Sequence, residues 1–262
     1  MIFSIIIVSF NTKELLNDCL QSIFDYLVGE FEVIVIDNAS TDGSIEMLKQ
    51  KFTGKVQVIS SDKNFGFGGA NNLAVKQAQG KYLFFLNSDT LITENIIPKL
   101  FDCLENNENI GVLAPMLLLP DGQDQQYAHG RFPTIITSIK KDNNWYKPKD
   151  SWLETEWVSG AALIISKELF ERSGGFDDHY FMYFEDIDLC KTVHDLDFKI
   201  AVLPSISIVH LGGKSLQKFN QRKHLYYQSQ NYFYLKHYGW FRTLLMKSVR
   251  WPYLVFKIIK NE

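Results

Sequence analysis

Residues 82–86, Tyr-Leu-Phe-Phe-Leu, form a short unbroken apolar run that stops at Asn87, Ser88 and Asp89. A strand with one wet face alternates polar and apolar side chains. A run that does not alternate reads as a strand covered on both faces, as in a mostly parallel sheet flanked by helices. The neighbouring sequence then has to alternate strand with helix through right-handed crossovers. Such a sheet also has a functional edge: open α/β sheets bind ligands outside the carboxyl ends of their strands, and an aspartate there can hold a divalent cation bridging a diphosphate.

The chain alternates as required. Residues 2–8 read as a first strand, 12–26 as a helix with Leu15, Leu16, Cys19, Leu20, Ile23 and Phe24 at helical spacing, and 31–36 as a second strand. The second strand ends in a polar turn from Asp37 to Ser44, where Thr41 or Asp42 can cap the next helix. A third strand over 55–60 and a helix over 70–79, closed by Gly80, lead into the run at 82–86. After that the rhythm changes. A helix over 96–104, an extended run over 110–119 and a Pro120-Asp121-Gly122 turn precede an aperiodic stretch, 123–156, with Trp145, Tyr146 and Trp152, the profile of a binding loop or lid. Strand returns over 157–166, then a short helix over 167–173 ended by Gly174-Gly175, a helix over 187–196 introduced by Glu185 and Asp186, and strands over 199–203 and 206–210.

Charge divides the chain more sharply than its pattern does. The net charge is −3, but residues 214–262 hold ten of the 27 Lys/Arg and one of the 30 Asp/Glu, leaving about −12 on the body and +9 on the tail. A basic tail implies an anionic surface as partner, a membrane or a nucleic acid. Arg242, Lys247, Arg250 and Lys257 interrupt its apolar residues, so no uncharged span of roughly 20 residues is available to cross a bilayer. Residues 2–10 lack the basic start of a signal peptide and run straight into Asn11-Thr12-Lys13-Glu14, which favours a core strand. Cys19, Cys103 and Cys190 lack metal spacing and read as buried thiols in a reducing compartment.

Four polar clusters end strands or open helices: Ser9-Phe10-Asn11, Asp37-Asn38-Ala39-Ser40, Asn87-Ser88-Asp89 and Glu185-Asp186. Taken singly, the second and third are as well explained as helix-capping turns, and Gly66-Phe67-Gly68-Gly69 has part of the spacing of a dinucleotide loop. Together and in this order, with Asn64 through Asn72, they resemble the family 2 glycosyltransferases. The resemblance runs nearly to Ser215 and is densest in the branch that makes bacterial surface polysaccharides, where rhamnosyltransferases are common.

The resemblance implies an α/β fold of the GT-A type: a Rossmann-like, mostly parallel sheet flanked by helices, with a C-terminal helical extension. Residues 1–213 would be the catalytic domain, with a nucleotide-sugar half to about 115 and an acceptor half from about 116, and 214–262 the basic tail. Phe10 would stack on the pyrimidine and Asp37 accept the base N–H, with Ser9, Asn11, Asn38 and Ser40 nearby. Asn64 and Asn72 match positions beside the nucleotide sugar. Asp89 matches the last aspartate of the D-x-D metal motif, where it would hold Mg2+ or Mn2+ on the diphosphate of a dTDP or UDP donor, beside Ser88. Asn87 stands where that motif has its first aspartate, which removes one charge. His210 matches a histidine that completes the site. Asp186, with Glu185, matches the segment carrying the catalytic base, Lys191 stands where arginine is frequent, and Arg131-Phe132-Pro133-Thr134 has a role open between diphosphate and acceptor.

The implied reaction is inverting transfer of a sugar, best rhamnose, to a glycan or lipid-linked acceptor at the inner face of a cell membrane. A sugar nucleotidyltransferase would need a glycine- and arginine-rich phosphate loop, which the start of the chain lacks. A nucleotide-sugar-binding protein without turnover would not need both Asp89 and Asp186. Aromatics interleaved with Lys/Arg suit the tail to an anionic membrane surface; packing on the catalytic domain or a homodimer contact are its other readings, and nucleic-acid binding has no supporting motif.

Overall fold

In the computed structural model, which describes residues 2–134, 151–212 and 219–259, the apolar runs lie at the centre of a nine-stranded sheet. Strands β1 (Phe3–Ser9), β2 (Phe31–Asp37), β3 (Gln57–Ser60) and β4 (Tyr82–Asn87) pair in parallel in the order β3-β2-β1-β4. Helices α1 (Lys13–Tyr26), α2 (Ser44–Lys51) and α3 (Gly66–Val75) make the connections. Alternate side chains enter different layers. Ile5, Ile7, Val35, Phe84 and Leu86 pack with Leu16 and Leu20 of α1, whereas Ile6, Ile34, Leu83 and Phe85 pack with Ala70 and Ala74 of α3. Both faces are dry, which is why 82–86 has no polar position; each such side chain contributes about 1.5–3 kcal/mol of burial.

The second half is mixed in direction. Short β5 (Thr90–Leu91) and helix α4 (Ile97–Glu105) lead to β6 (Ile110–Leu118), and β10 (Ala162–Ser166) lies antiparallel between β4 and β6. Before it come the small strands β7 (His129–Gly130), β8 (Leu153–Thr155) and β9 (Trp157–Val158); after it come α5 (Lys167–Arg172) and α6 (Glu185–His194). The two strands expected at 199–203 and 206–210 are one long strand, β11 (Lys199–His210), whose pairing with β6 shifts register between Leu203 and Ser207. Trp145 and Tyr146 of the aperiodic stretch, and Gly213, Lys214 and Ser215 after His210, lie outside the described residues.

Helix α3 starts four residues before the expected 70–79 and takes in the glycines. Gly66 has φ +75°, and a Cβ on it would lie 2.2 Å from the Phe181 carbonyl oxygen. A Cβ on Gly68 would meet Phe176 at 2.9 Å. These glycines therefore admit the 176–181 segment of the protein itself, which accounts for Gly66-Phe67-Gly68-Gly69 without a dinucleotide.

The tail is a helix, α7 (Phe219–Ile259), broken at Gly239 where φ is 80° and ψ 172°. Its first half packs on the body: Phe233 and Tyr234 are buried with Tyr180 and Phe184. No helix among the described residues is long and apolar enough to cross a membrane.

Candidate active site

Sheet register brings the strand-end clusters side by side. Ser9 pairs with Asp37 and Val8 with Asn87, so the tips of β1, β2 and β4 form one continuous edge. Asn11 (φ 53°) and Ala39 (φ 69°) turn the chain at the first two tips. The tips are tied together. Ser40 Oγ accepts from the Asn11 amide at 2.9 Å, and Asn11 Oδ1 accepts from the Thr41 amide at 2.8 Å. Asn38 donates to Asn64 Oδ1 at 2.9 Å and accepts from the Phe65 amide at 2.9 Å, fixing the entry to α3. Half-buried Phe10 stands on the same edge.

Asp37 is buried, with one carboxylate oxygen accounted for. Oδ2 accepts from the Ser40 amide at 3.0 Å, while Oδ1 has no hydrogen-bond partner among the described residues. A buried acceptor without a partner costs free energy unless a ligand satisfies it.

At the β4 tip, Asp89 Oδ1 lies 3.1 Å from His210 Nε2, and Asn87 Nδ2 lies 3.4 Å from the same nitrogen. His210 Nδ1 lies 2.8 Å from Gln125 Oε1. When Nδ1–H donates to Gln125, the Nε2 lone pair faces the Asp89 carboxylate, and two acceptors at that distance need a proton or a cation between them. Carboxylate plus imidazole is a donor set for Mg2+ or Mn2+ whose other ligands are phosphate oxygens and water. Among the described residues no group of three or more His, Cys, Asp or Glu could hold a metal ion, so the protein would supply this one pair and the remaining ligands would have to come from diphosphate and water. Gln125 was not a sequence candidate, because it lies in the aperiodic stretch where spacing carries no signal. Thr12 was missed too; its hydroxyl lies 3.0 Å from Ser9 Oγ and 3.0 Å from Ser88 Oγ, joining the first and third tips through buried hydroxyls.

Glu185 and Asp186 are the first residues of α6, entered through Tyr183 and Phe184 at φ 67° and 71°. Asp186 Oδ2 accepts from the Gly160 amide at 2.9 Å and Oδ1 from the Ile187 amide at 2.8 Å. The neighbouring Ala161 carbonyl accepts from the Asn87 amide at 3.0 Å, so the base candidate and the β4 tip share one turn. A helix start by itself favours an ionised carboxylate, yet the pKa of Asp186 moves the other way. Burial raises it, and the two amide bonds only partly offset that. Glu185 is pushed up further, by burial and then by the charge of Asp186, and its Oε2 has no partner among the described residues.

Three candidates have structural contacts. Asn72, expected beside the nucleotide sugar, donates to the Phe176 carbonyl at 2.7 Å and to Asp178 Oδ1 at 2.9 Å and accepts from the Phe176 amide at 3.0 Å, strapping the 176–178 loop to α3. Lys191 pairs with Asp195 and lies 5.6 Å from the Phe132 ring centroid, and the Arg131 carbonyl accepts from the Trp157 indole at 3.0 Å.

The family model described as glycosyl transferase family 2 matches residues 4–188. The chain belongs to that family. This family 2 glycosyltransferase is 25% identical over 244 residues to the N-acetylglucosaminyl-diphospho-decaprenol L-rhamnosyltransferase of Mycobacterium tuberculosis (strain CDC 1551 / Oshkosh), covering 83% of this chain and 79% of that protein. It is 25% identical over 247 residues to the rhamnosyltransferase WbbL of Escherichia coli (strain K12), covering 88% and 91%. Among solved structures it superposes with TM-score 0.67 and 16% identity on GalNAc-T7 with UDP, GalNAc and Mn2+, covering 89% of this chain and half, 50%, of that one. The last likeness is one of fold, the GT-A arrangement.

Proposed function

We propose that this family 2 enzyme is an inverting rhamnosyltransferase using a dTDP- or UDP-linked sugar and acting on a glycan or lipid-linked acceptor of cell-surface polysaccharide. The observation that carries the reading is the shared turn at Gly160–Ala161, which ties the Asp89–His210 pair to the candidate base Asp186. Asp37 Oδ1 takes the base N–H, Phe10 covers the ring, and Asp89 with His210 would hold a divalent cation. When bound, that cation supplies positive charge to the leaving diphosphate.

Asp186 takes the proton of the acceptor hydroxyl as its oxygen bonds to the anomeric carbon. The carbon–oxygen bond to the diphosphate breaks on the opposite side, and the nucleotide diphosphate leaves with that electron pair. A base works best with a pKa lifted toward the operating pH, which is the direction in which burial moves Asp186. Burial and the charge of Asp186 move the neighbouring Glu185 in the same direction, toward its neutral form.

Past Gly239, Trp240, Phe241, Leu244, Leu245 and Val249 are 72%, 65%, 57%, 46% and 45% exposed and recur on one helical face, with Arg242 and Lys247 among them. That face supports contact with an anionic membrane, where aromatics enter the headgroup layer and bases meet lipid phosphate.

Thermal shifts with dTDP, UDP and GDP, each with and without Mn2+, test the donor site; stabilisation by none of them sinks it. Asp186→Asn should abolish transfer, scored as nucleotide release that depends on acceptor, while keeping the nucleotide shift. Retained transfer removes Asp186 from the mechanism.

A further inference from the structure

The first half of α7 is bonded to the segment that presents the candidate base. Lys236 Nζ lies 2.8 Å from Asp177 Oδ2 and 2.8 Å from Asp188 Oδ2. These two aspartates stand on either side of Tyr183, Phe184 and Asp186 in the chain, so one ammonium closes the segment into a loop. Asp188, 2% exposed, also accepts from Tyr180 Oη at 3.0 Å and lies 2.7 Å from His237 Nε2. Ser229 Oγ donates to the Met182 carbonyl at 2.7 Å, and the Phe184 ring rests on Tyr226 and Phe233 with centroids at 5.2 and 5.5 Å.

Something has to enforce the turn between those anchors. Two consecutive non-glycine residues in the left-handed region are costly and persist only where the surroundings over-determine them. Here the surroundings are the tail. Without Lys236, Asp177 and Asp188 would be like charges with their shared counter-charge gone, one of them buried, and the loop would open to hydrate them. Burial would raise the Asp177 pKa, yet the bonds from Lys236 and His179 hold it well below the usual range, as expected of a carboxylate committed to this clamp.

We propose that Lys236 is a positioning residue for sugar transfer: by drawing Asp177 and Asp188 together it holds the Tyr183–Phe184 turn that aims Asp186 at the acceptor. This rests on the reading of Asp186 as the base. The nucleotide side touches this segment but also has bonds of its own, among Ser9, Thr12, Ser88, Asp37, Ser40 and Asn38, which the loss of Lys236 leaves in place, so the effect belongs to kcat more than to donor binding. A basic residue that the charge pattern assigns to a membrane thus serves the chemistry.

The test uses full-length Lys236→Ala, Lys236→Gln and Lys236→Cys enzymes. A misplacement of the base on the order of 1 Å corresponds to a kcat loss of about tenfold to a hundredfold, with donor KM and the nucleotide-induced thermal shift within about twofold of wild type. Aminoethylation of Lys236→Cys with 2-bromoethylamine rebuilds an ammonium and should restore most of kcat; the three native cysteines are buried and free, so position 236 is the accessible thiol. Amide hydrogen exchange should quicken in peptides covering 178–189 and stay unchanged at 37–44. Unchanged kcat and exchange in Lys236→Ala overturns the proposal. So does a parallel loss of nucleotide binding, thermal stability and kcat that aminoethylation leaves uncorrected. If the wild-type enzyme transfers no sugar, the glycosyl-transfer reading fails, and exchange over 178–189 still decides whether Lys236 holds the turn.

Discussion

Asp37→Asn distinguishes a base-recognising carboxylate from one that merely caps a turn. Asp37 is 1% exposed, its Oδ2 accepts from the Ser40 amide at 3.0 Å, and its Oδ1 has no partner among the described residues. An asparagine here has one workable orientation: its oxygen must face the Ser40 N–H, because its NH2 would meet another donor there. The NH2 then replaces Oδ1 and faces the N3–H of uracil or thymine, donor against donor. Losing a hydrogen bond to a charged group costs about 1.5–3 kcal/mol, which is roughly a 10- to 150-fold weaker Kd for dTDP and UDP by titration calorimetry. The fold should survive, since the Ser40 bond is kept and a buried charge is removed, so the melting temperature of the free protein stays level or rises. Cytosine offers a lone pair at N3, so the variant should gain affinity for CDP relative to wild type. Binding of dTDP and UDP within about threefold of wild type by a folded variant would refute the base contact.

Gln125→Leu removes the acceptor that orients His210, so the Mn2+ concentration giving half of the nucleotide-dependent thermal shift should rise about 10- to 100-fold; an unchanged Mn2+ requirement would separate Gln125 from the cation site. Glu185 gives a stability test with a defined sign. Its pKa is raised in the folded protein, so the unfolded chain releases the proton first, and stability is fullest below the ordinary glutamate value of about 4.3 and declines as pH rises above it. Glu185→Gln should therefore raise the melting temperature near neutral pH and leave it unchanged near about pH 4; an equal gain at both would attribute the effect to packing. For the tail, Trp240→Glu/Phe241→Glu should abolish sedimentation with phosphatidylserine liposomes at low salt without changing the oligomeric state. A shift from dimer to monomer with liposome binding retained would assign that face to a second copy of the chain.

The strand-end clusters were legible because period and position say the same thing. A five-residue unbroken run such as 82–86, bounded by polar turns, is too short for a helix and suits a strand covered on both sides, and whatever follows it in a parallel sheet stands on the ligand edge. Asp37 and Asp89 could therefore be placed from sequence. Residues placed by long-range contacts left no such trace. Gln125 reaches His210 across 85 positions from an aperiodic stretch. Asn72 has the right type for a sugar contact, yet its amide is taken by Phe176 and Asp178, more than 100 positions away. The glycines at 66 and 68 have the composition of a phosphate loop, and only the approach of Phe181 and Phe176 reveals their purpose. The Asp186 pKa escaped for the same reason: a helix start argues for an ionised carboxylate, and only tertiary burial reverses the direction.

The tail shows how far a charge count can mislead about place. Its bases read from sequence as a surface directed at an anionic partner, but Lys236 is paired within the protein with Asp177 and Asp188, and Arg250 donates to Gln230 Oε1 at 2.7 Å and to Asn231 Oδ1 at 2.8 Å. Fewer bases than the count implies are left for lipid, and Arg242 and Lys247 are the ones that lie beside the exposed Trp240, Phe241, Leu244, Leu245 and Val249 in the second half of α7. Gly239 marks the change, with a backbone conformation that breaks the helix between a half bonded to the segment carrying Asp186 and a half that exposes Trp240, Phe241, Leu244, Leu245 and Val249 while Met246 and Arg250 pack back on the first half. Deleting everything after Gly213 would therefore confound two effects, removing the proposed membrane contact and releasing the Tyr183–Phe184 turn together. Substitutions confined to Trp240 and Phe241 leave the clamp intact, so a loss of liposome binding with kcat on a soluble acceptor preserved is the outcome that assigns separate roles to the two halves.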